Sequence, residues 1–229
     1  MKVSEIYFSI QGEGKLAGVP SVFIRTTGCN LRCTWCDSPY TSWLPEAGRS
    51  LTVDQILDRV SDFATIYVVI TGGEPMIAPD IGDLTRRLEE EGYHITIETA
   101  ATVWQDVLCD LASISPKLGN STPWVRDHGR HAEKHEDARI NVDVIRRFMK
   151  FPHHQLKFVV DKPEDLAEID TVLAQIGHYE SSNVLLMPQG VTREDLNERG
   201  PWIVDICKQR GFRYCPRIQI RLYGNTRAT

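Results

Sequence analysis

The sequence contains no run of 18 apolar residues, which is the length that a membrane-spanning helix needs. Its first five residues also lack the apolar stretch of a secretory signal peptide. Positive charge is not in excess, because 26 Lys and Arg stand against 31 Asp and Glu, a formal net charge of -5. This balance argues against general attraction to nucleic acid or an anionic membrane. We therefore expect a cytoplasmic protein without a nucleic-acid or membrane partner.

The bulk composition is that of an ordinary globular protein. The 229 residues are 41% hydrophobic and 25% charged, with no internal repeat or low-complexity tract. This length suits one large domain or two small ones, and we expect a single domain over residues 1–229. Six cysteines in a reducing compartment indicate metal ligands or core residues rather than a disulfide framework.

Three of the cysteines lie within eight residues, as Cys29, Cys33 and Cys36 in a C-x3-C-x2-C pattern. Three thiolates do not complete a tetrahedral zinc site without a fourth ligand. They can bind three irons of a [4Fe–4S] cluster and leave the fourth iron open to a ligand that is not protein. A zinc site or three incidental cysteines are the alternatives. The remaining cysteines, Cys109, Cys207 and Cys215, are expected to be small core residues.

Hydrophobic periodicity predicts strands that alternate with helices. Strands are expected at residues 3–8, 21–27, 65–70, 93–99, 110–115, 156–161 and 183–187, and helices at 51–60, 80–91, 104–108, 163–176 and 193–210. Thr52 is a candidate N-cap for the helix at 51–60. The continuous apolar run at 65–70 is typical of a strand buried on both faces of a parallel sheet. The six strands from 21–27 onward are too few for a closed eight-stranded barrel. We therefore predict an α/β fold, an open partial (β/α) barrel of about six mostly parallel strands with helices on the outer face.

The polar segment 118–139 interrupts the alternation and is predicted to be a long loop or lid. It contains His128, His131 and His135. Histidines among Arg, Lys and Glu in a polar loop are usually solvated, and we favour that interpretation over a metal site. The active site is expected elsewhere, at the carboxyl ends of the strands.

A second motif, Thr71-Gly72-Gly73-Glu74-Pro75, follows a predicted strand one βαβ unit after the cysteines. Two glycines allow the backbone to approach a ligand closely. Together with Trp35, directly before the third cysteine, the two motifs resemble the radical S-adenosylmethionine superfamily. The resemblance implies a [4Fe–4S] cluster held by Cys29, Cys33 and Cys36. It also implies a bound S-adenosylmethionine that chelates the open iron and supplies a 5′-deoxyadenosyl radical.

A third pattern narrows the resemblance. Residues 8–14 (Phe-Ser-Ile-Gln-Gly-Glu-Gly) and 18–25 (Gly-Val-Pro-Ser-Val-Phe-Ile-Arg) resemble the opening of the 7-carboxy-7-deazaguanine synthase family, as do segments along most of the chain. These segments are 36–38, 71–75, 98–99, 115–117, 156–157 and 222–225. The resemblance implies a carbon–nitrogen lyase of queuosine and 7-deazapurine biosynthesis. Its substrate would be 6-carboxy-5,6,7,8-tetrahydropterin, converted to 7-carboxy-7-deazaguanine with loss of ammonia.

Side-chain chemistry at this opening agrees with a pterin acid as substrate. Gln11 offers a donor and an acceptor, and Glu13 offers acceptors, for the amide and amino edge of a guanine-like ring. Arg25 offers a planar fork for a carboxylate, although a surface salt bridge is the alternative interpretation. The resemblance implies that the substrate site consists of Ile10, Gln11, Gly12, Glu13, Arg25 and Thr71.

The resemblance also implies a cofactor site and a magnesium ion. Contacts to S-adenosylmethionine are expected from Trp35, Cys36, Asp37, Gly73, Glu74, Ser115, Pro116, Lys117 and Lys157. Lys157 could instead face a sheet edge, and Asp37 could cap the following turn. Mg²⁺ favours oxygen ligands and keeps several waters, so the Ser38 hydroxyl and the substrate are a suitable ligand set.

Further expectations concern partners and alternatives. The family resemblance implies a flavodoxin-like or ferredoxin-like electron donor and a homodimer. A glycyl-radical activase shares the three-cysteine site but gives no reason for Gln11, Glu13 and Arg25. A zinc-binding or cluster-binding interaction module is the non-enzymatic alternative.

Overall fold

The structure is a computed structural model that describes residues 1–45 and 48–229. Over these residues one open sheet runs through the chain in the order β3-β1-β2-β4-β5-β6-β7-β8-β9. Neighbouring strands from β2 to β9 are parallel, whereas β1 pairs antiparallel with β2 and β3. The strands are β1 (Lys2–Ile10), β2 (Pro20–Thr26), β3 (Arg49–Ser50), β4 (Tyr67–Gly72), β5 (His94–Thr99), β6 (Leu111–Ile114), β7 (His154–Val160), β8 (Val184–Pro188) and β9 (Arg213–Tyr214).

Helices connect the parallel strands. They are α1 (Val53–Ser61), α2 (Ile81–Glu90), α3 (Ala132–Ala138), α4 (Val142–Phe148), α5 (Asp165–Ile176), α6 (Arg193–Arg210) and α7 (Ile218–Tyr223). Helix α1 begins at Val53, directly after Thr52, the N-cap that the sequence predicts. The Thr52 hydroxyl accepts a hydrogen bond from the Gln55 amide at 3.2 Å, and the Gln55 side chain accepts one from the Thr52 amide at 3.0 Å. This reciprocal pair satisfies two amides that have no partner within the helix.

The hydrophobic core lies between one face of the sheet and the helices. Strand residues alternate between faces, so Ile24, Ile70 and Ile97, aligned on β2, β4 and β5, point the same way. All three are fully buried in one cluster with apolar residues of α1, α2, α4, α5 and α6. The opposite face becomes polar towards the carboxyl ends of the strands, where Arg25 of β2 pairs with Thr71 of β4. The sheet therefore presents its polar side chains where ligands bind in parallel sheets.

The structure departs from the predicted local structure at three places. Residues 104–108 form no helix, because the Gln105 side chain bonds to the Met76 and Ala78 carbonyls and the Trp104 ring packs on Phe148, 4.8 Å between ring centroids. Helix α4 was not predicted. The segment 118–139 is not a plain loop, since it contains two short 3₁₀ turns and α3.

No helix in the described part of the chain has the length and apolar character needed to cross a membrane.

Candidate active site

The loop of residues 29–36, called the cysteine loop, follows β2 at the carboxyl end of the sheet. Its thiols, Cys29, Cys33 and Cys36, are free and half-buried. Burial raises the pKa of Cys29 and of Cys33 to about 12, so these thiols stay protonated until a cation takes the place of the proton. Metal binding supplies such a cation and releases the protons. The chemistry of the donor set therefore fits an iron–sulfur cluster.

The Gly-Gly turn after β4 packs directly on the cysteine loop. A Cβ at Gly73 would lie 1.9 Å from the Gly28 carbonyl oxygen, so only glycine fits there. The Glu74 amide donates to the same carbonyl at 2.9 Å. Its carboxylate is buried and accepts from the Thr99 hydroxyl at 2.7 Å and from the Ala100 amide at 2.8 Å. The motif thus holds the Gly-Gly turn against the cysteine loop. The Glu74 carboxylate is occupied by hydrogen bonds to other residues of the protein.

A cavity of 160 Å³, called the small cavity, lies beside the thiols. Of the side chains predicted to bind S-adenosylmethionine, Glu74 and Pro116 do not line it. Lys117 donates to the Ser115 carbonyl at 2.7 Å and to its hydroxyl at 2.9 Å. The predicted residues that line the small cavity are Trp35, Cys36, Asp37, Gly73, Ser115, Lys117 and Lys157.

A second cavity of 440 Å³, called the large cavity, adjoins the first. It is lined by every residue predicted to bind substrate, namely Ile10, Gln11, Gly12, Glu13, Arg25 and Thr71. It also contains residues that sequence reasoning did not assign, including Tyr7, Tyr40, Glu98, Arg217, Gln219 and the tail 224–229. Six residues line both cavities: Glu13, Asp37, Ser38, Thr71, Gly72 and Glu98. The two cavities therefore share one polar wall.

A buried lysine, Lys157, pairs with two carboxylates of this shared wall. The Lys157 ammonium lies 2.5 Å from a Glu13 carboxylate oxygen and 3.3 Å from a Glu98 oxygen. The other Glu98 oxygen accepts from the Thr71 hydroxyl at 3.1 Å. Burial alone would raise the pKa of Glu13, but the charges of Lys157 and Arg217 outweigh burial and lower that pKa below its ordinary value. Glu13 is therefore ionised, and Lys157 lies between two carboxylates rather than at a sheet edge.

Arg217 is the main group that the sequence reasoning missed. Its guanidinium is 6% exposed and donates to Glu13 at 3.0 Å, to Asp37 at 2.5 Å and to the Gly190 carbonyl. Gln219 adds a bond to the same Glu13 oxygen at 2.8 Å. In the sequence, the only indication that Arg217 and Gln219 belong to the site was that they lie close to residues 222–225, one of the segments that carry the family resemblance. Arg217 therefore links the segment after β1 to Asp37, the residue that follows the cysteine loop.

Arg25 is fixed on the wall of the large cavity. It donates to Glu5 at 2.7 Å and to the Tyr7 hydroxyl at 2.6 Å. Glu5 also accepts from the Tyr40 hydroxyl at 3.0 Å. Arg25 thus makes a salt bridge, but a half-buried one that orients the guanidinium in the cavity.

Comparison with known proteins decides between the candidate families. Residues 23–120 match the family model of the radical SAM superfamily. The chain is 46% identical to a 7-carboxy-7-deazaguanine synthase of Rhodopirellula baltica, over 99% of this chain and 88% of that protein. It is 41% identical to one of Halobacterium salinarum, over 100% of this chain and 93% of that protein. The chain belongs to the 7-carboxy-7-deazaguanine synthase family.

Solved structures confirm the predicted fold. QueE from Escherichia coli superposes with a TM-score of 0.69 at 24% identity, covering 93% of this chain and 92% of that one. Streptococcus suis SuiB bound to S-adenosylmethionine gives a TM-score of 0.55 at 16% identity, covering 82% of this chain and 48% of that one. The prediction of an open, mostly parallel partial barrel is therefore confirmed.

Membership of this synthase family also confirms the predicted enzyme class, a carbon–nitrogen lyase. The radical SAM superfamily implies a [4Fe–4S] cluster and S-adenosylmethionine as cofactors. The comparisons favour a synthase over the glycyl-radical activase and the interaction module.

The histidines of the segment 118–139 differ among themselves. His128 is exposed, as predicted, but His135 is buried, and the prediction that it is solvated was wrong. Its ring nitrogens bond to the Arg32 amide at 3.0 Å and to the Ser121 hydroxyl at 2.8 Å, which explains its burial. Among residues 1–45 and 48–229, no three His, Cys, Asp or Glu side chains are grouped to hold a single metal ion. The three thiols of the cysteine loop would instead each bind a different iron of a cluster.

Proposed function

We propose that the protein converts 6-carboxy-5,6,7,8-tetrahydropterin to 7-carboxy-7-deazaguanine with loss of ammonia, with its substrate in the large cavity and S-adenosylmethionine in the small one. The observation that carries this proposal is the shared polar wall between the two cavities. One cavity bears three thiols and the other bears Gln11, Glu13 and Arg25. A substrate and a cofactor in adjoining cavities meet without leaving the protein.

Cys29, Cys33 and Cys36 are the residues that would bind three irons of the cluster. When bound, the cluster and S-adenosylmethionine supply a 5′-deoxyadenosyl radical. The ammonium of Lys117 lowers the pKa of both Cys29 and Cys33 against the larger effect of burial, and so favours the thiolate ligands. The proposed contacts to S-adenosylmethionine are the predicted residues that line the small cavity, namely Trp35, Cys36, Asp37, Gly73, Ser115, Lys117 and Lys157. Contacts from Glu74 and Pro116, which do not line it, stay predictions.

The large cavity offers matching groups for the two ends of the pterin acid. Gln11 is buried, and its amide is oriented by a 3.0 Å bond to the Ser21 hydroxyl. Glu13 is ionised and accepts hydrogen bonds, which suits the amide and amino edge of the ring. The oriented guanidinium of Arg25 suits the carboxylate. Ile10, Gly12 and Thr71 complete the proposed substrate site.

A magnesium ion is proposed at Ser38. This residue is 8% exposed and lies on the shared wall. The neighbouring Asp37 carboxylate already pairs with Arg217 at 2.5 Å. Ser38 would therefore give one neutral oxygen, and substrate oxygens and waters would complete the shell that Mg²⁺ prefers.

The remaining proposals concern the setting of the enzyme. A cluster held by thiolates needs a reducing compartment, which supports a cytoplasmic location. Cluster reduction needs an electron donor, for which we propose a flavodoxin-like or ferredoxin-like protein. One sheet through the described chain supports a single domain over 1–229, and a homodimer stays a prediction.

The test is turnover by the anaerobically reconstituted, chemically reduced protein with S-adenosylmethionine, Mg²⁺ and the pterin acid. We expect 7-carboxy-7-deazaguanine by liquid chromatography and mass spectrometry. Cys33→Ala should abolish the product, whereas Cys109→Ala, which changes a thiol outside the motif, should retain it. An intact cluster in the wild type without any product would contradict the proposed function.

A further inference from the structure

The cysteine loop forms neither helix nor strand, so other contacts must fix its conformation. Residues 118–139, here called the clamp segment, supply several of them. The Thr34 amide donates to the Ser121 carbonyl at 2.7 Å, and the Trp35 indole donates to the Asn120 carbonyl at 3.0 Å. These bonds hold the loop between its second and third cysteines.

His135 holds the loop between its first and second cysteines. The Arg32 amide donates to His135 Nδ1 at 3.0 Å, so the neutral ring carries its proton on Nε2. That nitrogen then donates to the Ser121 hydroxyl at 2.8 Å, and the hydroxyl donates to the Leu118 carbonyl at 2.6 Å. The ring is 1% exposed. Both nitrogens of a buried ring are thus satisfied, and the chain of bonds ends on the loop backbone.

A second contact of the clamp segment is independent of His135. Arg126 donates to the Thr34 carbonyl at 2.8 Å. Its guanidinium also lies over the Trp43 ring, 4.1 Å from the ring centroid. Trp43 in turn donates to the Cys33 carbonyl at 2.9 Å. The loop is therefore bound on both sides of its central cysteine.

We infer that the clamp segment positions the cysteine loop for cluster binding, with His135 as a positioning residue that acts through the Arg32 amide. This inference rests on the proposed function only in that the loop binds an iron–sulfur cluster. Three thiols must be held in one arrangement before three irons can bind, and leaving the partly buried Arg32 amide unpaired would favour other loop conformations. The segment is then a fixed support of the site, unlike the lid that the sequence suggested.

The experiment measures how fast a strong iron chelator removes iron from the anaerobically reconstituted protein, by loss of cluster absorbance. His135→Leu removes both ring bonds at similar volume, and His135→Asn keeps an acceptor oxygen near the position of Nδ1. His128→Asn is the matched control, because His128 is exposed and has φ 54°, which Asn tolerates.

We expect iron loss to be about tenfold faster in His135→Leu and within about threefold of the wild type in His135→Asn. His128→Asn should equal the wild type. Thermal unfolding of the cluster-free proteins is measured in parallel. If His135 had only a structural role, both variants would be less stable than the wild type but would lose iron at the same rate.

Equal rates in His135→Leu and the wild type would overturn the inference, as would equal rates in the Leu and Asn variants. If His135→Leu does not fold, Arg126→Leu tests the other contact, and an unchanged rate there also overturns the inference. A wild-type protein that binds no cluster would overturn the proposed function together with this inference. A stable cluster without turnover contradicts the function alone, because the rates of iron loss still decide the role of His135.

Discussion

The two sides of the shared wall are assembled in different ways. The thiols lie within eight residues of one another, and the Gly-Gly turn packs on them through contacts to Gly28. The charged groups at the shared wall come from far apart in the chain, since Glu13 meets Lys157, which lines the small cavity, and Arg217, which lines the large one. The three thiols are thus close together in the sequence, although distant residues hold their loop in place. The charged side, by contrast, exists only once the sheet has formed.

The two sides also differ in whether their ionisable groups already have partners of opposite charge within the protein. Burial raises the pKa of the Cys29 and Cys33 thiols, which therefore need a metal to become ligands. The carboxylates are already paired with buried cations at distances of 2.5 to 3.3 Å. Pairing within the protein preorganises the charged side before any ligand binds. Substitutions on the charged side should therefore affect the folded chain itself, and those on the thiol side should affect cluster retention.

The largest effect on stability is expected for Lys157→Met. It leaves Glu13 and Glu98 without the cation between them, and removing one partner of a buried ion pair costs about 3–5 kcal/mol. Urea unfolding of the cluster-free protein measures the change. Lys162→Met, at an exposed position just after the same strand, should stay within about 0.5 kcal/mol of the wild type. Similar losses in the two variants would show that the charged side is not preorganised.

The second-largest effect on stability is expected for Gly73→Ala, on the thiol side. The new Cβ would lie 1.9 Å from the Gly28 carbonyl oxygen, so two backbone segments must separate, at a cost of about 1–3 kcal/mol. Iron retention after reconstitution should fall as well, because Gly28 precedes the first cysteine. Gly200→Ala is the control, since only the end of the Tyr214 side chain is near, at 3.3 Å, and alanine favours the helix. Unchanged iron content in Gly73→Ala would break the proposed link between the two motifs.

The third prediction concerns the clamp segment, where the unfolding free energy should depend on pH through His135. Burial lowers the pKa of His135 to about 4 from 6.5, with smaller effects of Glu136, Arg139 and Lys117. A lowered pKa stabilises the folded state fully above pH 6.5, and this stabilisation is lost as the pH falls towards 4. Relative to His135→Asn, the wild type should therefore lose about 1 kcal/mol of unfolding free energy between pH 8 and pH 5.5. Parallel urea titrations of the two proteins check this, and a constant difference would contradict a neutral His135.

The sequence predicted those features that short-range patterns specify. The cysteine spacing, the Gly-Gly turn and the N-cap at Thr52 are local, and each lies where it was expected. The bonds from Arg217 to Glu13 and from the Arg32 amide to His135 were not predicted, because these partners lie 204 and 103 residues apart and no spacing rule connects them. The helix expected at 104–108 failed for a related reason, since tertiary bonds of Gln105 override local propensity.

The smallest effect is expected for Arg227→Ala, in the tail that lines the large cavity. Arg227 bonds to Glu5 at 2.9 Å and lies over the Tyr40 ring, 4.1 Å from its centroid, so it links the tail to the residues that orient Arg25. The side chain is 40% exposed, and an exposed pair contributes about 0.2–1 kcal/mol. Steady-state kinetics should therefore show a KM for the pterin acid raised by up to about fivefold, with iron content and kcat unchanged. Arg221→Ala, an exposed arginine outside the cavity lining, is the control and should leave KM unchanged. A loss of iron in Arg227→Ala would show that the tail acts on the thiol side as well, and the contrast between the two sides would then fail.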